Sequence, residues 1–342
     1  MLNTQIGRLT TLLLLICLAL VNSSLVAQEP DLTYEEVLGS AKDLLGKYRY
    51  DEALKAFKHA NEMRDKKSAE CFAGMSDAYF GLEAYKNVIT SADKTIEFAG
   101  GDAKLLLRAY NNKGLALQAQ ADRKDQKKLQ AAEAMFREAL KLQNAPPVVR
   151  YNLGVVLMQL NRDEEGVAEM KQYLKLHPKG GYFETARKLV ANPRRARENF
   201  APDFSFTSSA GEHVTLEDLK GKVVLLDFWA TWCPPCVASM PEMRNLYNRY
   251  SKDPSFVLIG ISSDFDEAAW RKFTNKNNML WLQYRDRDRR IMEAFNIRAF
   301  PTYVIIDHEG ILRFQSTGYG TDGLDAAIRR HVRAAAHSAA AR

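Results

Sequence analysis

From Lys222 to Trp229 the chain reads Lys-Val-Val-Leu-Leu-Asp-Phe-Trp, and shortly after it comes Cys233-Pro234-Pro235-Cys236. The β-branched, aliphatic and aromatic run predicts a buried strand. Beyond Cys236, the apolar residues Val237, Met240, Met243, Leu246 and Tyr247 recur at helical spacing, so the cysteines fall where a strand turns into a helix. A helix N-terminus offers unpaired N–H groups and the positive end of a dipole, which favour a thiolate over a thiol. Residues three apart on one turn are close enough to close a disulfide. The first cysteine can then attack a partner's disulfide, and the second can resolve the mixed disulfide. Pro234 and Pro235 suit a first helical turn, where a missing N–H costs nothing. A structural disulfide and half a zinc site are the other readings of this spacing. Zinc needs two more ligands, and the sequence offers neither a second cysteine pair nor a nearby histidine cluster.

The segment Phe228-Trp229-Ala230-Thr231-Trp232-Cys233-Pro234-Pro235-Cys236 resembles the active-site segment of the thioredoxin superfamily. Phe300-Pro301 with the following Thr302 to Asp307 resembles the family's proline-plus-strand element. The entry Ala201-Pro202-Asp203-Phe204 is similar to that of the TlpA-like branch, whose members act outside the cytoplasm, often on a membrane tether. The resemblance implies an α/β thioredoxin-like domain, a redox-active Cys233–Cys236 pair and a cis peptide before Pro301. It also implies that Phe300 keeps its backbone free to pair with an extended substrate chain. Asp227 stands where thioredoxins carry a buried acid; a carboxylate there has a raised pKa and can move protons during exchange, or it is satisfied by local hydrogen bonds. The lysine that accompanies this acid in many thioredoxins falls at Gly260. The acid that many TlpA-like reductases carry after the second cysteine falls at Ser239. Trp232 is expected either as a partly exposed docking platform or as plain packing. A peroxidase reading is disfavoured because Thr231 lies two residues before Cys233, whereas the peroxiredoxin motif places its threonine three before.

Further along this domain, strands are expected over Phe256–Ser262, Trp281–Tyr284, Thr302–Asp307 and Ile311–Phe314. Helices are expected over Glu267–Phe273, Arg289–Phe295 and Leu324–Val332.

Upstream, a pattern recurs at about 34 residues, the period of tetratricopeptide repeats. Its best copy carries Tyr151, Leu153-Gly154, Leu157, Gly166, Met170, Tyr173 and Pro178. Earlier copies carry Tyr50, Ala53, Phe57 and Ala60; then Phe72, Tyr79, Tyr85, Val88 and Ala92; then Tyr110, Gly114, Ala132, Phe136 and Ala139. The charged stretch Ala121–Lys128 stretches the third copy and lengthens either its loop or the helices around it. Gly181–Ala191 reads as a capping helix. Each copy buries its apolar face only against the next, and stacking creates a curved binding surface. An irregular helical bundle is the alternative.

The chain opens with Arg8, an apolar run from Leu12 to Val21 and a polar-to-small segment ending at Ala27, the order of a secretory signal peptide. Cleavage after Ser23 or Ala27 and retention as an anchor are all compatible with it. The remaining cysteines, Cys71, Cys233 and Cys236, are too few for a disulfide-stapled scaffold. Cys71 among Phe72, Met75 and Tyr79 reads as a buried apolar residue, or else as an exposed thiol pairing with another chain. With 342 residues, 46% of them hydrophobic, the chain can bury two cores. Its net charge of +6 is mixed along the sequence with no basic-aromatic stripe, so nucleic acid is not expected as a partner.

The expected organisation is a leader at 1–27, an all-α tetratricopeptide-like solenoid at 30–192, a linker at 193–200, a thioredoxin-like domain at 201–336 and a tail at 337–342. The expected activity is that of an exported thiol–disulfide oxidoreductase, acting as a reductase. Cys233, Cys236 and Asp227 carry the chemistry, and Trp232, Phe300 and Pro301 dock the substrate. Expected partners are client protein disulfides, an electron-donor thiol oxidoreductase and a protein or peptide on the repeat surface, with a membrane tether through the N-terminal segment compatible. No cofactor or metal is expected. The competing reading is a repeat adaptor with a non-catalytic docking module.

Overall fold

The computed structural model describes residues 32–122, 125–320 and 323–340; the leader segment lies outside them. The chain divides into two compact units that meet between Ala191 and Asn192.

The first unit is all-helical: α1 (Tyr34–Gly46), α2 (Tyr50–Glu62), α3 (Ala69–Gly81), α4 (Tyr85–Phe98), α5 (Ala103–Gln120), α6 (Gln126–Lys141), α7 (Pro147–Gln159), α8 (Asp163–Leu176) and α9 (Phe183–Ala191). Local chemistry sets several starts. Thr33 and Glu36 form a reciprocal capping box on α1. Ser68, Asp102 and Asp125 accept first-turn N–H groups of α3, α5 and α6. Consecutive helices pack on one another, and α9 closes the stack against α8.

The repeat is also written in the backbone. The turns after α1, α3 and α7 each hold one left-handed residue, Tyr48, Glu83 and Asn161. In each, the next residue's N–H bonds back five residues: Arg49 to Leu44, Ala84 to Tyr79 and Arg162 to Leu157, at 2.9–3.0 Å. This is the helix-ending geometry in which a left-handed residue satisfies late carbonyls. In the third repeat the helices are longer, α5 and α6 running to 18 and 16 residues. Apolar clusters around Phe57 and Phe136 fill the interior, and Cys71 is fully buried among them.

The second unit contains a short antiparallel pair, β1 (Ser205–Thr207) with β2 (His213–Thr215), and a five-stranded sheet. The sheet holds β3 (Val223–Trp229), β4 (Phe256–Ser262), β5 (Leu282–Arg285), β6 (Thr302–Ile306) and β7 (Leu312–Thr317) in the order β5-β4-β3-β6-β7. Central β3 is parallel to β4 and antiparallel to β6, and all seven of its residues are buried. Val223, Leu225 and Trp229 face one core together with α10 (Pro234–Tyr250); Val224, Leu226 and Phe228 face the other. The remaining helices are α11 (Glu267–Lys276), α12 (Arg290–Ala294) and α13 (Leu324–Ala340).

Two segments differ from the sequence reading. The expected linker is folded. Pro193–Ala196 forms a 3-10 turn, Arg194 makes a forked contact with Glu309, and Phe200 bridges Ile311 beside the edge strand β7. An edge strand presents open backbone groups, and this segment takes up some of them: Leu312 N–H donates to Asn199 at 2.8 Å. Helix α13 continues through the expected tail to Ala340, as an alanine-rich sequence favours.

Glycines Gly154 and Gly166 make the closest helix crossing in the fourth repeat. A methyl group on Gly166 would lie 2.9 Å from the Gly154 carbonyl oxygen and 2.6 Å from Met158 Cγ. Gly166→Ala is therefore expected to destabilise the helical unit by about 1–3 kcal/mol in denaturant unfolding followed by helix signal. Gly39 in α1 meets nothing within 4 Å, so Gly39→Ala is expected to stabilise it by roughly 0.5–1 kcal/mol.

Candidate active site

The buried strand β3 delivers the chain to a tight turn at Ala230–Trp232, and α10 begins immediately after Cys233. Cys233 is the N-cap: its sulfur accepts the Cys236 N–H at 3.3 Å, doing for this helix what a serine oxygen does elsewhere. Pro234 and Pro235 fill the first turn, as their missing donors allow. The two cysteines are joined, with sulfurs 2.06 Å apart. Cys233 is 5% exposed and Cys236 1%, so Cys233 is the sulfur nearer solvent.

The expected flanking residues come together here. The Phe300–Pro301 peptide is cis, and Phe300 packs against the core that contains both cysteines. Trp232 is 59% exposed and meets Phe300 edge to face at 5.9 Å. Pro301 is held by its carbonyl, which accepts from Gly318 at 2.9 Å.

Asp227 lies on the cysteine side of β3, in register with Gly260 on β4 and Tyr303 on β6. Its Oδ2 is buried with no hydrogen-bond partner among the described residues. Burial alone pushes its pKa up from 3.8 to about 7. Gly260 is indeed the residue that faces it, and no lysine takes that place. Ser239 is buried on α10, and its hydroxyl donates to Pro235 at 2.9 Å. Among the described residues, no cluster of His, Cys, Asp and Glu has the makings of a metal site.

The sequence reading missed Asp264. Its carboxylate accepts the Thr231 N–H at 3.1 Å, the Thr231 hydroxyl at 2.6 Å and the Ser262 hydroxyl at 2.6 Å. It thereby ties the end of β4 to the turn that carries Trp232 and Cys233. The signal was present in Ser262-Ser263-Asp264, a polar cluster at the carboxyl end of a parallel strand, where α/β sheets place their sites.

The uncompensated Asp227 has a consequence for stability. Between pH 4 and pH 7 the unfolded chain has released this proton while the native protein keeps it, so stability falls as pH rises through that window. Asp227→Asn removes the penalty. It is expected to exceed the natural protein in unfolding free energy by roughly 2–4 kcal/mol at pH 8, at about 1.4 kcal/mol per pH unit of displacement. The advantage should shrink to near zero at pH 4, as read from denaturant midpoints across pH.

The family model described as Redoxin matches residues 196–328, and one described as Tetratricopeptide repeat matches residues 124–191. Thiol-disulfide oxidoreductase ResA of Bacillus thuringiensis is 35% identical over 141 residues, spanning 41% of this chain and 78% of the relative. ResA of Bacillus subtilis is 31% identical over 124 residues, spanning 36% and 69%. A solved thiol-disulfide oxidoreductase from Bacteroides fragilis is 27% identical, covers 39% of this chain and 98% of its own, and gives a TM-score of 0.36. The Redoxin match spans the joined cysteines, and the chain belongs to the redoxin family as a thioredoxin-like thiol–disulfide oxidoreductase fused to tetratricopeptide repeats.

Proposed function

We propose that this oxidoreductase is exported and reduces disulfides of client proteins through Cys233 and Cys236. The observation that carries the reading is the disulfide at the start of α10, above a carboxyl that titrates near neutrality. In the reduced protein the Cys233 thiolate attacks one sulfur of a client disulfide. A mixed disulfide forms, and the first client sulfur leaves as a thiolate. Cys236 then gives its proton to Asp227 and attacks Cys233 Sγ, releasing the second client sulfur. The client gains two electrons and the pair loses them. An electron-donor dithiol restores the reduced pair.

Trp232, Phe300 and Pro301 dock the client in this reading. Two further exposed aromatics support such a surface. Phe265 follows Asp264, which binds Thr231, and Tyr319 follows Gly318, which binds Pro301. The N-terminal segment favours an extracytoplasmic location, either released or tethered. The repeats at 30–192 recruit a protein partner and raise its concentration at Cys233, since tethering gives effective concentrations in the millimolar range when the geometry fits.

Cys236→Ser is expected to accumulate mixed disulfides through Cys233, seen as reductant-sensitive adducts, and Cys233→Ser is expected to accumulate none. A Cys236→Ser protein that forms no adduct and whose Cys233 resists alkylation at neutral pH would refute the reductase reading. For the repeats, a chain lacking residues 32–191 is expected to reduce insulin as fast as the full chain and to be slower only towards its native client. A collapse of the insulin rate would show that the repeats shape the active site instead.

A further inference from the structure

The cysteine-side face of the sheet carries a polar row beneath α10. Reading across the strands in register, Gln283 on β5 sits beside Gly260 on β4, then Asp227 on β3, then Tyr303 on β6. Gln283 is 3% exposed and Asp227 1%. Both Gln283 amide atoms and Asp227 Oδ2 lack a hydrogen-bond partner among the described residues. Unpartnered polar atoms at this depth are rare, and clustered ones are ordinarily satisfied by ordered water.

The glycine explains where the amide goes. A Cβ on Gly260 would come within 2.6 Å of Gln283 Oε1 and 3.0 Å of its Nε2, so the amide occupies the space a side chain at 260 would fill. Asp227 stands on the next strand, one backbone spacing of about 4.8 Å from Gly260. No direct bond joins the amide to the carboxylate Oδ2, and a single water is the natural bridge between two such buried groups.

We propose that Gln283 is a positioning residue for Asp227: lodged over Gly260, its amide donates through a buried water to the carboxylate, where a basic side chain at 260 would otherwise stand. A neutral amide favours the carboxylate without supplying a full counter-charge, so Asp227 stays within reach of neutral pH. The other titratable group beside the carboxylate is Tyr303 on β6, held above the usual tyrosine range by burial first and then by the Asp227 charge, with Ser239 and Glu242 of α10 and Tyr319 also acting on it; Cys236 is in the disulfide and does not titrate. On the same face α11 contributes Trp270 and α13 contributes Ile328. The bearing of Gln283 on exchange rests on the proton-carrier reading of Asp227; its coupling to the carboxyl does not.

The test is the titration of Asp227, followed by carboxyl carbon NMR in the oxidised full chain, before and after Gln283→Met. Methionine keeps the volume and removes the donor. The midpoint is expected to rise by about one pH unit, the size of one hydrogen bond to a charged group, cutting the ionised fraction at pH 7 about fivefold. Should the methionine variant fail to fold, Gln283→Val keeps a strand-forming residue and predicts the same rise. A folded variant whose Asp227 midpoint is unmoved overturns the assignment. An Asp227→Asn protein that exchanges disulfides at full rate would refute the proton-carrier reading separately, while leaving this titration to stand or fall by itself.

Discussion

Everything reactive in this molecule hangs on the passage from β3 into α10. A strand buried on both faces and paired on both edges is the stiffest element a sheet can offer, and β3 is that strand here. It ends at Trp229, and five residues later the chain has entered a helix whose Cys236 N–H is met by a sulfur. Asp264 braces the intervening turn through Thr231, so the position of Cys233 is set by two neighbouring strands. The cis-proline segment enters from β6 on the other side of β3, bringing Phe300 against Trp232.

Beneath the disulfide the protein accepts a cost. A carboxyl held in an apolar core with no counter-charge destabilises the native state wherever it is ionised. Apolar residues fill the rest of β3, so the sheet did not need an acid for packing. Functional sites are where such local conflict is tolerated. The neighbouring glycine sharpens the contrast: Gly260 opens room over the sheet, and a long amide from one strand further enters it.

Much of this was legible in the sequence, for identifiable reasons. The run Val223–Trp229 has one meaning, because no alternation or helical period fits it, and the cysteines and Pro301 follow it at familiar intervals. The repeats showed through small and aromatic residues that the helix crossings demand. What escaped depends on pairing between distant strands. Gln283 looks like an ordinary polar strand residue until register sets it beside Gly260, opposite Asp227. The turns at Tyr48 and Glu83 escaped because neither is a glycine or an asparagine, although both adopt the left-handed conformation. The segment before Phe200 resembled a linker because Arg194 finds its partner, Glu309, on a turn far away in the sequence.

The central claim is that Asp227 takes the proton from Cys236 as the mixed disulfide resolves. Stopped-flow mixing of the reduced protein with a fluorescent disulfide peptide isolates that step as the unimolecular release phase. The account predicts a release rate that climbs through about pH 7 as the carboxyl ionises and then levels. It also predicts that Asp227→Asn lowers the rate at pH 7 by about a hundredfold or more and erases that inflection. Coincident pH profiles for the two proteins would contradict it.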